Sequence, residues 1–441
     1  MPEISVIMPT LNVAKYIEQC MKSVIDQTLR DIEIIVIDAE STDGTREIIQ
    51  EYASRDPRIH LILSDKKSYG YQVNMGISLA KGNYIGIVET DDYIEFDMYE
   101  VLLENAKACD YEYVKGTAEA FRKISKDIVI SSPIKSVEGD RVELKPSEHP
   151  ELFSTDRFLW LGLYRADFIK NIKLNETPGA AYQDIGFMYQ VLTKAQKALY
   201  LDKVVYHYRQ DNMNASGYNH KAFKYLTDEY RVLLKLEMPQ MWQAAVYKKM
   251  LEQCLGRFRN MAISGKYWDE YVAEIEILRE WLLDAENQDI IKEEIVGDYS
   301  WNFLQTWKSG SDDLYRHYAE VYSLKNEKVR KCFQSIGGCS IVIFGAGKYG
   351  RFFHTLSENR YPGKVVAYCD NKPELIGTLL QGVEIVAPET AVERYPQTVF
   401  VISVYKDVET VYEQLSKLGV CKERIIRYEP EYDNMLLNMK Y

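Results

Sequence analysis

Residues 84–93 read Tyr-Ile-Gly-Ile-Val-Glu-Thr-Asp-Asp-Tyr, an apolar run that ends in three carboxylates, Glu89, Asp91 and Asp92. Acids this close repel one another unless a divalent cation or a polar ligand compensates them. A buried strand that delivers such groups at its carboxyl end is where α/β proteins handle ligands. The competing reading is a solvated Asp-Asp turn that caps a helix. Asp38 weighs against it, because this acid also closes an apolar run, Glu33-Ile34-Ile35-Val36-Ile37.

The elements between these acids decide whether they meet. Residues 4–8 form a β-branched run stopped by Pro9 and read as a first strand, with Thr10 to Asn12 as its loop. Residues 14–27 then place Ile17, Met21, Val24 and Ile25 at helical spacing. A second strand at 33–38, a turn at 41–45, a third strand at 59–63 and a helix at 70–80 lead into the fourth strand. Strands alternating with helices predict an α/β fold with a parallel, doubly wound sheet and a crevice along the strand ends. That arrangement brings Asp38 and Asp91 to one rim.

The segments SVIMPTLN, IEIIVIDAESTDGT, AKGNYIGIVETDDYI and AYQDIGFMYQVL resemble the family 2 inverting glycosyltransferases of GT-A fold, in order and spacing, over roughly the first 215 residues. The resemblance implies a nucleoside-diphosphate sugar donor, with a UDP-linked sugar favoured, and a saccharide, glycolipid or glycoprotein acceptor in bacterial surface polysaccharide or glycoconjugate synthesis. Pro9, Thr10 and Asn12 at the first strand end, with Asp38 and Glu40, would hold the nucleotide. Asp91, with Glu89 or Asp92, would hold Mn²⁺ or Mg²⁺ on the sugar diphosphate, where the ion neutralises the leaving group. Asp184 matches the base that deprotonates the acceptor hydroxyl, although a helix N-cap is also open to it. Trp160 and Gln183 fall on the acceptor side, Trp160 being equally suited to the core. Arg209 would clamp the diphosphate and His207 would add a metal ligand, against an edge-strand reading of the same alternation.

The chain departs from the family at several points. Ala39 stands where relatives carry an acid, with Glu40 one residue on, Leu11 replaces an aromatic residue, and Val73 replaces an arginine. Glu89 is one methylene longer than the aspartate usual there. These changes bear on donor identity rather than on reaction class. Two other classes compete: a non-catalytic nucleotide-sugar-binding scaffold, of which Ala39 would be a mark of decay, and a nucleotide-dependent sugar-modifying activity in the C-terminal part.

At 441 residues, with 46% hydrophobic and 27% charged residues, the chain reads as two or three globular domains. A net charge of −12 argues against nucleic acid as a partner. Seven cysteines, scattered and without a Cys-x-x-Cys, point to free thiols in a reducing compartment. No apolar run is long enough to span a bilayer, and Met1-Pro2-Glu3 opens directly into a strand, so a cytoplasmic location is expected, with room for attachment at the inner membrane face.

Beyond the GT-A region at 1–220, residues 221–335 lose strand-like runs and place apolar residues three and four apart. This helical region carries Trp242, Trp268, Trp281, Trp301 and Trp307 as packing anchors and leaves a homodimer open. At 336–430 a small Rossmann-like unit begins with a strand followed by Gly345-x-Gly347-x-x-Gly350, and Asp370 ends the next strand. This is the context of a diphosphate-binding turn with a ribose-binding acid, hence a candidate second nucleotide site, or a retained fold with no guest. No Tyr-x-x-x-Lys follows, so redox chemistry is not expected, and 431–441 reads as a tail.

Overall fold

The computed structural model describes residues 1–121, 128–131, 140–210, 212, 221–264, 269–360, 364–404 and 406–428; Trp268 and the 431–441 tail lie outside them. The chain forms two compact units, the first holding most of it up to Arg257 and then Asp269–Ser311, the second running from Asp312 onward.

The first unit opens with β1 (Ile4–Thr10), α1 (Ile17–Ile25), β2 (Ile32–Asp38), α2 (Thr45–Arg55), β3 (Ile59–Leu63), α3 (Tyr69–Leu79) and β4 (Tyr84–Ile87). β1 and β2 are buried along their whole length, which is why they are continuous apolar runs rather than alternating ones. There follow β5 (Tyr93–Ile94), α4 (Met98–Cys109), β6 (Tyr113–Phe121), β7 (Ile128–Ser131), β8 (Arg141–Leu144), α5 (Leu152–Thr155), β9 (Gly162–Arg165), α6 (Ala166–Ile169), α7 (Gln183–Lys194) and β10 (Ala198–Arg209).

These strands make one sheet in the order β3-β2-β1-β4-β9-β6-β10-β5, with β7 on β6 and β8 on β10. The first four strands are parallel, as expected. The sheet as a whole is mixed, because β9 enters antiparallel between β4 and β6. β9 has four residues and follows β8 by way of the one-turn helix α5. β10 pairs with β6 through register shifts between Tyr200 and Tyr206, and these bulges re-aim Tyr206 to Arg209 toward the end of β4.

A buried ion pair ties this half together. Lys115 on β6 donates to Asp156 at 2.5 Å and to the Phe158 carbonyl at 2.8 Å, and the Tyr200 hydroxyl donates to the second Asp156 oxygen at 2.8 Å. Neither charged side chain is exposed.

The helical region supplies α8 (Ala222–Leu233), α9 (Gln240–Ser264), α10 (Val272–Asn287), α11 (Glu293–Val296) and α12 (Asp298–Lys308). α8 buries Phe223, Leu226, Tyr230 and Leu233 on one face. Trp242 and Trp307 are fully buried and donate to the Ser147 carbonyl and the Ser311 hydroxyl; Trp281 and Trp301 are half-buried. Among the described residues no helix is long and apolar enough to cross a membrane, and all seven cysteines are unpaired.

The second unit begins in α13 (Ser311–Ile336), whose Val329, Phe333 and Ile336 join the core of a second sheet. That sheet comprises β11 (Ile341–Phe344), β12 (Val365–Cys369), β13 (Leu379–Leu380), β14 (Val383–Val386), β15 (Val399–Ile402) and β16 (Ile425–Arg427), with α14 (Lys348–Arg360), α15 (Pro388–Arg394) and α16 (Val408–Lys417) between them. Its order, β13-β14-β12-β11-β15-β16, sends the chain outward first to one side of β11 and then to the other, as doubly wound sheets do.

Candidate active site

The parallel half of the first sheet ends in two interlaced loops. Asn12, in left-handed backbone at φ 53°, accepts from the Thr42 amide at 2.8 Å, while its own amide donates to the Ser41 hydroxyl at 2.9 Å. Asp43 accepts from the Ala14 amide at 3.0 Å. Thr10 and Pro9 are buried at the end of β1, and their carbonyls accept from Gln72 and Thr90 at 3.0 Å each. Asp38 is fully buried under this lattice, its carboxylate accepting from Arg46 Nε at 2.8 Å and from the Ser41 amide at 3.1 Å. Glu40 is exposed and faces Lys67 at 3.5 Å, while Ala39 has no exposed surface.

The three acids after β4 have different surroundings. Asp92 is buried and both its oxygens are engaged, by the Arg209 amide at 2.7 Å and the Tyr206 hydroxyl at 3.0 Å. It is a clasp between β4 and β10, and burial with Asp91 beside it pushes its carboxyl well above the usual range. Asp91 is half-buried and accepts from Asn212 at 2.8 Å; burial raises it too. Glu89 accepts from the Tyr69 hydroxyl of α3. Burial first, then the charges of Asp91 and Asp184, push Glu89 up to about 8. Beneath this turn lies Cys20 of α1, its sulfur 3.5 Å from the Glu89 carbonyl oxygen.

Arg209 is buried rather than extended into a cleft. It donates to the Asp91 carbonyl and to Gln19 at 2.8 Å each, and its guanidinium lies 4.8 Å from the Tyr16 and Phe121 rings. His207 pairs with Glu95 at 2.7 Å and stacks on Tyr93 at 4.3 Å, apart from the acids after β4. Trp160 is 6% exposed and stacks on Phe158 and Tyr206 at 4.5 and 4.1 Å, inside an aromatic core. Gln183 is likewise consumed internally: it accepts from the Gly70 amide at 3.1 Å and donates to the Asn175 carbonyl at 2.7 Å, fastening α3 to the loop before α7.

Asp184 occupies the first turn of α7, one position inside the helix rather than at its N-cap. The N-cap is Tyr182, held in left-handed backbone at φ 71°. A bulky residue there costs on the order of 1 kcal/mol. The Asp184 carboxylate is half-buried against its own amide and that of Ile185. Burial raises it, and the charges of Lys249 and Arg157 draw it back down. Glu229 of α8 braces the same turn, accepting from the Gly186 amide at 2.9 Å and from Asn175 at 3.1 Å, and burial pushes it up to about 8.

A divalent ion such as Mn²⁺ or Mg²⁺ asks little of the polypeptide, one or two carboxylates beside substrate phosphates. Glu89 and Asp91 are half-buried, two residues apart, and burial raises both. The donor set fits such an ion. Among the described residues no group of three or more His, Cys, Asp or Glu is placed so as to hold a metal ion.

In the second unit, Gly345 turns at φ 108°, and a Cβ on Gly350 would strike the Gly345 carbonyl oxygen, so this helix packs against the turn directly. Gly347 faces open space. Asp370 accepts from the Ala346 amide at 2.8 Å and the Lys372 amide at 3.0 Å. Each oxygen therefore already holds a backbone donor of the glycine turn or its own loop.

Sequence reasoning passes over Arg46, Tyr69, Tyr206, Asn212 and Lys249, which hold or bias the acids. Arg46 has a signal, a lone cation at the start of the helix that follows the Asp-rich loop. The others act across the fold and have none.

The family model for glycosyl transferase family 2 matches residues 5–167. Among curated proteins, the chain is 32% identical over 236 residues to the uncharacterized glycosyltransferase EpsJ of Bacillus subtilis, covering 52% of this chain and 66% of that one. It is 26% identical over 274 residues to the glycosyltransferase GlyA of Streptococcus pneumoniae, covering 59% of this chain and 39% of GlyA. The matched part thus spans no more than 66% of either relative's own length. Among solved structures, S. aureus TarS 1–349 in complex with UDP-GlcNAc superposes with a TM-score of 0.57 at 17% identity, over 74% of this chain and 92% of that one. Residues 5–167 are a glycosyltransferase family 2 domain, carried on a GT-A fold.

Proposed function

We propose that the protein is an inverting glycosyltransferase that moves a sugar from a nucleoside diphosphate, UDP by preference, to a hydroxyl of a saccharide-bearing acceptor in surface polysaccharide synthesis. The observation that carries this reading is the approach of two sets of acids: Glu89 and Asp91 at the end of β4, and Asp184 at the start of α7, near enough that the charge of Asp184 raises Glu89. One set suits a metal-bound diphosphate and the other a proton acceptor. The UDP-GlcNAc in the superposed TarS structure supports a UDP-linked donor.

In this reading the interlaced loops of Asn12 and Asp38 receive the nucleoside. Glu89 and Asp91 would hold the divalent ion, which when bound neutralises charge on the departing diphosphate. Asp92 and Arg209 keep the Asp91 turn in place through the bonds described above. Asp184 takes the proton of the acceptor hydroxyl as it attacks. A carboxylate raised by burial is better matched to that task near neutral pH than an ordinary aspartate.

Titration calorimetry of UDP and GDP, with and without Mn²⁺, tests the donor half. Metal-dependent UDP binding that Asp91→Ala weakens at least ten-fold is the expected outcome. Binding indifferent to both metal and Asp91 would refute the assignment.

A further inference from the structure

The helical region has no role in the mechanism so far, yet it places a charge beside the base. α9 packs one face against the first unit's sheet domain: Trp242, Val246, Lys249 and Arg257 recur at helical spacing. Trp242 meets the Tyr189 ring edge-on at 6.1 Å, and the Arg257 guanidinium lies 4.9 Å from the Tyr182 ring. Tyr182 and Tyr189 bracket Asp184 along α7, so the stretch of α9 between these two contacts passes the base. Lys249 sits in that stretch.

Lys249 is 4% exposed, and its ammonium donates to the Phe153 carbonyl at 2.6 Å, 4.9 Å from the Phe153 ring centroid. Among the described residues no carboxylate lies within ion-pair distance of it. An ammonium has three protons to donate and is costly to bury without a counter-charge. Such an arrangement persists where a nearby anion compensates it through space, and Asp184 is the charge that acts on Lys249 most strongly.

We propose that Lys249 is a positioning residue for Asp184, its ammonium keeping the carboxylate ionised and in place, so that the helical region completes the active site. This rests on the reading of Asp184 as the base. The groups that face Asp184 come from every side. The charge of Asp184 raises Glu89 at the end of β4 and Glu229 on α8, and it likewise opposes ionisation of the hydroxyls of Tyr69 on α3, Tyr182 before α7 and Tyr230 on α8. Lys249 and Arg157 favour the ionisation of Asp184 itself. Arg157 is exposed and screened by water, whereas Lys249 acts through protein, where a charge carries further. Lys249 is itself flanked by Arg157, Glu252 and Asp156.

The test needs no substrate. A diazo reagent esterifies protonated carboxyls, and mass spectrometry of the peptide holding Asp184 reads its labelling against pH in the full chain. Lys249→Met is expected to move the midpoint upward by on the order of one pH unit, a ten-fold change in the ratio of protonated to ionised Asp184. Lys249→Arg keeps the charge and is expected to stay near the wild-type midpoint. A midpoint unchanged in Lys249→Met, in protein whose circular dichroism is native, overturns the proposal. Should that variant fail to fold, Lys249→Gln gives the same comparison. The base reading fails separately, through turnover retained in Asp184→Asn.

Discussion

Asp184 lies in the first turn of α7 and Glu229 braces that turn through the Gly186 amide, and the two carboxyls bear on different properties. For Asp184, the expected outcome of Asp184→Asn is loss of sugar transfer by roughly 10²- to 10⁴-fold, the range for removing a general base, with UDP affinity kept. UDP release and calorimetry measure the two quantities. Glu229 reports on stability instead. Its folded value of about 8 lies above the ordinary 4.5, so between these limits the folded chain keeps a proton that the unfolded chain has lost. Stability therefore falls as pH rises through that window. Glu229→Gln removes this titration, and the drop in Tm from about pH 6 to about pH 8 is expected to shrink. An equal drop in scanning calorimetry would place the pH dependence elsewhere.

At the scale of elements, the junction of β6, β9 and β10 depends on Lys115 and Asp156. Burial pulls the Lys115 ammonium down while Asp156 pushes it back up. Lys115→Met leaves Asp156 buried with only tyrosine and backbone donors, and urea unfolding is expected to register a loss of ~3–5 kcal/mol. The pair also shows what can be read from sequence. The parallel strands β1, β2 and β4 and the acids that follow β2 and β4 were legible, because fully buried strands announce themselves as apolar runs. β9 was not, since four residues carry no period to read. Trp160 had two readings open to it, and its stacking on Phe158 and Tyr206 depends on partners that only the sheet order brings together. Asn212 is 121 residues from the Asp91 it binds, and Lys249 reaches its place by way of a separate helical region; neither relation has a local trace.

For the whole molecule, two compact units with separate cores suggest two unfolding steps. UDP with Mn²⁺ at about 100 times its Kd should stabilise only the unit that binds it, by about 2.7 kcal/mol. Scanning calorimetry is expected to show one transition moving and one fixed. If both move, the glycine turn at Gly345, Gly347 and Gly350 takes a nucleotide as well, and Asp370 must then release one of its amides.

Cys20 turns the acidic corner into a clock. Its thiol lies under Glu89, and burial together with Asp92, Asp91 and Glu89 holds it far from ionisation. Only a thiolate in reach of solvent alkylates quickly. Cys109, Cys339 and Cys421 are exposed and set the starting time of the reaction. The delay before Cys20 follows counts how seldom the acidic corner opens, and any ligand that seats itself there lengthens it.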